Sequence, residues 1–314
     1  MKRNQKVSVV IHTKDRPSYI NNLLHQLQSQ TRTSNEVIIV ENIDSNKFLD
    51  PEKLQNFLKK SVCKYFSVKN KNIAQSRNIS LLNCTGKIIV SIDDDVVIYD
   101  SLLEDIVKSF DSDSDIDGIF PQVLPIYQDR YSYIASVFLN HHLLNKQKKT
   151  RVKTFSGCIF ALRRKIISIN SVIFDSNLNT GEDIQFFADF SRAGAKFYYF
   201  PTIKVKHYFT NTLFSFIRKH VSYGKDLATI DFFVSEIHYI DQYLPSRKMH
   251  IFFPFYFFLE RIISTTKHIK KANKLTSEFY FQILLHELCY WLGIYTSRSG
   301  INLLRGKFLL IIRR

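Results

Sequence analysis

Cysteine is scarce and scattered: Cys63, Cys84, Cys158 and Cys289 form no CxxC pair. Neither a zinc ribbon nor a disulfide framework is expected from them, and a reducing, cytoplasmic setting fits. No GxGxxG follows a strand and no GxxxxGK[ST] occurs, so a dinucleotide fold with that fingerprint and a P-loop are both unsupported. Phosphates would have to be held another way, by a metal on carboxylates together with Lys and Arg side chains. Long apolar runs are missing too. No window reaches membrane-spanning length without a charged or polar break, and residues 7–11 are too short for a signal-peptide core and are cut by His12 and Lys14. Acidic residues are outnumbered, 28 Asp and Glu against 44 Lys and Arg, which gives a formal net charge of +16. That balance implies an anionic partner: nucleic acid, a membrane surface or a phosphorylated substrate. With 314 residues, 45% of them hydrophobic, the chain is long enough for one large domain, alone or with a smaller appendage, and disorder is not expected.

What is present centres on residues 86–99, GKIIVSIDDDVVIY. Ile88, Ile89, Val90 and Ile92 read as a buried parallel strand that runs into three consecutive carboxylates, Asp93, Asp94 and Asp95. Three adjacent anions repel one another unless a divalent cation, hydrogen-bond donors or full solvation offset them. A solvated turn is the plain reading, because Asp is a common turn former. The rest of the chain favours a site.

Strands are expected over residues 6–12, 36–41 and 62–68, and helices over 17–30, 51–60 and 72–82, before the acidic strand. This alternation argues for an open, mainly parallel α/β sheet with helices on both faces, where ligands bind at the carboxyl ends of the strands. Polar residues collect at those ends: His12, Thr13 and Arg16, then Glu41 and Asn42, then the triple Asp. Further on, 102–110 reads as a helix and 117–124 as a strand, while 127–150 shows no period and reads as an irregular insertion or surface loop. Residues 154–162 read as a strand with a glycine where a ligand approaches closely. A helix over 180–193 opens with Glu182 and Asp183, which suit either the helix macrodipole or a general base. Residues 196–201 and 203–207 read as two short strands, the second ending at His207.

With these residues in hand, the chain resembles the family 2 glycosyltransferases of the GT-A fold, an inverting family that uses nucleotide-sugar donors. The matching stretches are VSVVIHTKDRP, EVIIVEN, KNKNIAQSRNISLLNCTGKIIVSIDDD, FSGCIFALRR, TGEDIQFFADFSRAGAKFYYFP and VKHYF, in the family's order over residues 7–209. The resemblance implies a Rossmann-like GT-A domain over residues 1–210; the remainder, 211–314, is expected from its composition to be a helical, basic, amphipathic region. It implies that Thr13 and Arg16 lie by the nucleotide, that Glu41 contacts the base, and that Asn72 and Arg77 line base and ribose. Asp93 and Asp95 match the outer residues of the DxD motif, with Asp93 and Asp94 on the donor side and Asp95 on Mg²⁺ or Mn²⁺. Glu182 and Asp183 match the family's acidic pair, with Asp183 as base, and His207 matches a histidine that completes the metal site. The implied activity is transfer of a hexosyl or related group from a nucleotide-sugar, with a UDP-sugar favoured by family habit. The implied acceptor is a saccharide or lipid-linked saccharide of a bacterial surface polysaccharide.

From residue 245 onward the composition shifts: twelve Lys and Arg residues stand against Glu260, Glu278 and Glu287. The runs IFFPFYFFLERII, FYFQILLHELCYWLGIY and FLLIIRR between them read as amphipathic helices, either a cap on the sheet or a peripheral contact with the inner face of the cell membrane. The competing classes are a nucleic-acid binder, which has no use for the acidic triple, and a nucleotidyltransferase, which lacks its Gly-rich phosphate loop here. No nucleic-acid partner is expected.

Overall fold

The computed structural model describes residues 5–43, 49–69, 71–127, 129–139, 143, 146–153, 155, 157–167, 173–178, 180–227 and 277–297, with 259, 262–263, 266–267 and 270 between the last two segments. The chain divides into two compact units. The first comprises Met1–Ile126 and Lys146–Tyr208, the second Tyr127–Asn145 and Phe209–Arg314.

In the first unit the elements run β1 (Val7–Lys14), α1 (Pro17–Gln28), β2 (Glu36–Ile43), α2 (Pro51–Phe57), β3 (Val62–Lys69), α3 (Ile73–Leu82), β4 (Ile88–Asp93), β5 (Val96–Ile98), α4 (Leu102–Ser112) and β6 (Gly118–Pro125). After α5 (Arg130–Leu139), which belongs to the second unit, come β7 (Thr150–Val152), β8 (Ile159–Arg163), α6 (Glu182–Arg192) and β9 (Phe197–His207). The nine strands form one sheet in the order β3-β2-β1-β4-β8-β6-β9-β5, with β7 on β9. β1 pairs in parallel with β2 and β4, and β2 with β3, so four strands end at one edge; β8 pairs antiparallel with both β4 and β6.

The sequence explains the order of burial. β1, β2 and β4 are covered on both faces, and their Val and Ile runs are buried along nearly their whole length. Edge strand β3, VCKYFSVK, mixes Lys64, Ser67 and Lys69 among its apolar residues, and none of its residues is fully buried. Helix starts follow local chemistry: Asn72 and Gln75 form a reciprocal capping box on α3, and Asp50 accepts from the Glu52 and Lys53 N–H groups ahead of α2.

Three expected elements differ. Phe197–His207 form one strand, β9, and not two, but its pairing with β6 jumps from Phe200 to Lys204 as β6 passes from Pro121 to Gln122, where Pro121 and Pro201 both lack an N–H for the ladder. The strand expected over 154–162 begins only at Ile159, because the Gly157 N–H goes to the Asp183 carboxylate and the Gly157 carbonyl to Arg77. Within the stretch read as irregular lies α5, whose first turn donates to Asp129 from the Tyr131 and Ser132 N–H groups.

The second unit also contains α7 (Leu213–Leu227) and α8 (Ser277–Thr296). These two helices cross closely. A Cβ added to Gly224 would lie 2.2 Å from the Tyr290 carbonyl oxygen, and one added to Gly293 would lie 2.2 Å from that of Val221. FYFQILLHELCYWLGIY forms most of α8, but the helix is apolar on nearly all sides and not amphipathic: Ile283, Cys289 and Ile294 are buried while Leu284, Leu288 and Leu292 are exposed. IFFPFYFFLERII, apart from residues 259, 262 and 263, and the whole of FLLIIRR lie outside the described residues. None of the described helices is long and apolar enough to cross a membrane.

Candidate active site

Register brings the polar strand ends together. His12 of β1 pairs with Asp93 of β4, and Thr13 and Lys14 of β1 pair with Glu41 and Asn42 of β2. A cleft of about 280 Å³ opens at this edge, lined by His12, Thr13, Lys14, Arg16, Asn42, Lys71, Asn72, Ile73, Ser76, Asp93, Asp94 and Asp95. Its position is the carboxyl end of a parallel sheet, where the helices and loops that follow the strands leave a crevice.

The three aspartates do different work. Asp94 is buried, accepts from Thr13 Oγ1 at 2.6 Å and is paired with Arg16 at 2.9 Å. Arg16 also reaches Asp95 at 3.0 Å, so one guanidinium clamps two successive carboxylates of the tight turn between β4 and β5. Asp95 lies 3.1 Å from His207 Nε2, because β5 and β9 are antiparallel and His207 faces Val96, the next residue. Burial pushes the Asp93 carboxyl up to about 6, assisted by Asp95 and Asp94 and opposed by Arg77.

Arg77 is the hub. It is 3% exposed and donates to Glu182, to Asp93 at 3.3 Å and to the Gly157 carbonyl at 3.1 Å, while its guanidinium lies 5.6 Å from the Phe174 ring centroid. Burial disfavours the charged guanidinium, but Glu182, Asp93 and Asp183 outweigh it and hold the group protonated. Burial raises the Glu182 carboxyl, with Arg77 opposing and Asp183 adding to the rise. Asp183, next along α6, is more open and accepts the Gly157 N–H at 2.6 Å. Gly181, with φ 75°, supplies the left-handed turn that sets both acids at the helix start. Arg77 and Gly157 thus link the acidic turn after β4 to the acidic start of α6.

Two expected residues have other duties. Glu41 does not line the cleft: its carboxylate accepts from the Leu49 N–H at 2.8 Å and from the Tyr65 hydroxyl at 2.6 Å. Successive strand residues face opposite sides, so Asn42 lines the cleft in its place, donating to the Lys71 carbonyl and leaving its buried Oδ1 without a partner. Arg77 does not line it either, being consumed by the acids. Asn72 lines the cleft while capping α3 and donating to the Ser176 and Leu178 carbonyls.

His12, Asn42 and Lys71 are further cleft residues; their place at strand and loop ends was the available signal. Ser80 Oγ donates to the Arg77 carbonyl and therefore accepts from His12 Nε2–H at 2.8 Å, so His12 Nδ1 is a bare, buried acceptor. Burial, reinforced by Arg77, holds the His12 ring neutral.

Among the described residues no group of three or more His, Cys, Asp or Glu is arranged to hold a metal. Asp95 and His207 offer two donors, one carboxylate and one imidazole, with Asp93 and Asp94 beside them in the cleft. Carboxylate oxygen and imidazole nitrogen suit a divalent cation.

The model of glycosyl transferase family 2 matches residues 8–169, about half of the chain and the part that builds β1 to β8. The chain belongs to this family, and its fold is the mainly parallel GT-A type. Among solved structures it is similar to a mannosyltransferase, PcManGT from Pyrobaculum calidifontis, in complex with GDP-Man and Mn²⁺ (13% identity, TM-score 0.53, covering 97% of this chain and 75% of that one). It is similar also to GalNAc-T7 with UDP, GalNAc and Mn²⁺ (15%, 0.52, 72% and 52%) and to S. aureus TarS 1-349 in complex with UDP (17%, 0.51, 72% and 66%). The chain therefore spans less than two thirds of the TarS and GalNAc-T7 chains. A search of curated sequences finds no match.

Proposed function

We propose that this chain transfers a sugar from a nucleotide-sugar to a hydroxyl of a saccharide or lipid-linked saccharide acceptor, with inversion at the anomeric carbon. The observation that carries the reading is the Arg77 bridge. It ties the strand-end aspartates that border the cleft to the acid pair of α6, the two sets of groups such a reaction needs. The donor would occupy the cleft, its base near Asn42 and Asn72. Asn42 and His12, both lining the cleft, each keep one buried polar atom without a protein partner, and a small shift of the cleft wall would present these atoms to a nucleoside. Lys14, Lys71 and Arg16 supply positive charge for its phosphates. The solved neighbours were determined with UDP or GDP-Man, which supports the donor class and favours a UDP-sugar with GDP as the comparison.

Asp95 and His207 fit a divalent cation, Mg²⁺ or Mn²⁺: their 3.1 Å separation is that of neighbouring ligand positions at about 2.1 Å from a metal. When bound, such an ion offsets charge on the departing phosphate. Asp183 would take the acceptor hydroxyl proton on its carboxylate as that oxygen bonds to the anomeric carbon. The bond from that carbon to the phosphate oxygen breaks, and its electron pair leaves with the nucleoside diphosphate. The Gly157 N–H holds one Asp183 oxygen in place, and Glu182, locked to Arg77, serves as support.

Thermal-shift screening of UDP, GDP, CMP and dTDP with and without Mn²⁺ tests the donor site, since a ligand stabilises the state it binds. The expected result is metal-dependent stabilisation by one nucleotide that disappears in Asp95→Asn. Asp183→Asn should keep that stabilisation while transfer falls about 10²- to 10⁴-fold. Loss of nucleotide binding in Asp183→Asn would move this residue from base to donor site.

A further inference from the structure

Helix α8 of the second unit has two unlike sides. On one, His286, Tyr290 and Gly293 pack on α7: the His286 and His220 rings lie 4.8 Å apart, the His220 and Tyr290 rings 6.0 Å apart, and Gly293 meets the Val221 carbonyl. On the other, Tyr280, Leu284, Leu288 and Leu292 follow one another at every fourth residue with Phe281 beside them, and all five are between 41% and 66% exposed. Residues four apart lie above one another on a helix, so these side chains form a continuous apolar row about 18 Å long. Single exposed hydrophobic residues need no explanation, but an uninterrupted row of them marks a contact surface. No charged residue interrupts it; Glu287, the acid nearest in sequence, is fully buried.

Charge selects what covers the row. From residue 245 onward the chain carries twelve Lys and Arg against three Glu, flanking α8 on both sides, within a protein of net charge +16. A two-fold dimer through the row would bring two such basic regions together. Nucleic acid satisfies the charge but gives four aliphatic and aromatic turns nothing to bury in. An anionic bilayer satisfies both, because basic side chains are drawn to its surface while an apolar helix face sinks to the boundary of the acyl chains. We propose that the row Tyr280, Phe281, Leu284, Leu288 and Leu292 docks this protein on an anionic lipid bilayer, with α8 lying along the surface. None of the described helices is suited to crossing, so the contact is lateral.

The test is co-sedimentation of the full chain with phosphatidylcholine vesicles, with and without phosphatidylserine. Wild type should pellet with the anionic vesicles and less at high salt, and fluorescence of Trp291, the single tryptophan, should shift to the blue. Leu288→Glu with Leu292→Glu should weaken partitioning by roughly tenfold or more, since two half-buried leucine contacts are lost. The nucleotide thermal shift and far-UV circular dichroism should stay at wild-type values; if that pair fails to fold, Leu288→Ser with Leu292→Ser takes its place. Three results would overturn the proposal: no binding of wild type to anionic vesicles at low salt, equal binding by the folded variant, or a wild-type dimer in light scattering that the variant turns into a monomer.

Discussion

Each unit of this protein buries a cluster of titratable side chains, and the two clusters solve the same electrostatic problem in opposite ways. In the first unit Glu182 and Asp93 share the charge of Arg77, which opposes the upward push of burial on both carboxyls. In the second, His220 and His286 meet edge to face between α7 and α8 beside the fully buried Glu287, and burial lowers His220 to about 3, helped by His286 and Lys219 and opposed by its bond to the Phe216 carbonyl and by Glu287. There the histidine gives up its charge. A cluster built around a buried charge depends on the partners of that charge, whereas a histidine held neutral tolerates replacement by a side chain of similar shape.

Arg77→Ala should have the largest effect. It leaves the buried Glu182 and the half-buried Asp93 without their cation and should cost about 3–5 kcal/mol in urea denaturation. Nucleotide-dependent thermal shifts should fall with it. If stability is unchanged, the first cluster is not held by compensation and the contrast fails. Gly224→Ala comes next: the added methyl meets the Tyr290 backbone, and a loss of about 1–3 kcal/mol in thermal unfolding is expected.

Glu36 sharpens the contrast within the first unit. Burial opposes its ionisation, but donors from Ser8, the Thr85 backbone and Lys64 outweigh it and lower its carboxyl to about 2. The folded value lies below the unfolded one, so this contribution is present above the usual glutamate range and is lost as pH falls toward 2. Glu36→Gln should cost about 1–2 kcal/mol at neutral pH and flatten the acid limb of a stability profile. His220→Phe should have the smallest effect, under about 1.5 kcal/mol at pH 7. The folded state binds its proton less readily than the unfolded one, so His220 makes stability fall as pH drops from about 6.5 toward 3, and His220→Phe should lessen that fall.

Much of the first unit could be read from local pattern. The Val and Ile runs of β1, β2 and β4 imply strands covered on both faces, and Asp93 to Asp95 stand where a parallel strand must end. The acid pair at the start of α6 follows a glycine that the turn requires. Other features were hidden. The helix α5 carries its cap at Asp129 but lacks a clear apolar period, and its residues belong to the second unit. Glu41 and Asn42 are adjacent in sequence, and only the pleat and the neighbouring Tyr65 decide that Asn42 borders the cleft. The break in β9 pairing depends on which strand lies beside Pro201.

The sequence by itself determined the alternation of strands and helices, the sheet edge where polar groups gather and the family to which the chain belongs, because each is written in runs of neighbouring residues. Tertiary structure alone decided that Arg77 of α3 joins Asp93 to Glu182, which lies 105 residues beyond Arg77, that Gly157 orients Asp183, and that one side of α8 faces α7 while the other is exposed. The physical reason is distance along the chain. Burial and charge pairing are properties of space, and a side chain acquires its partner only when remote segments are brought within a few ångströms of it.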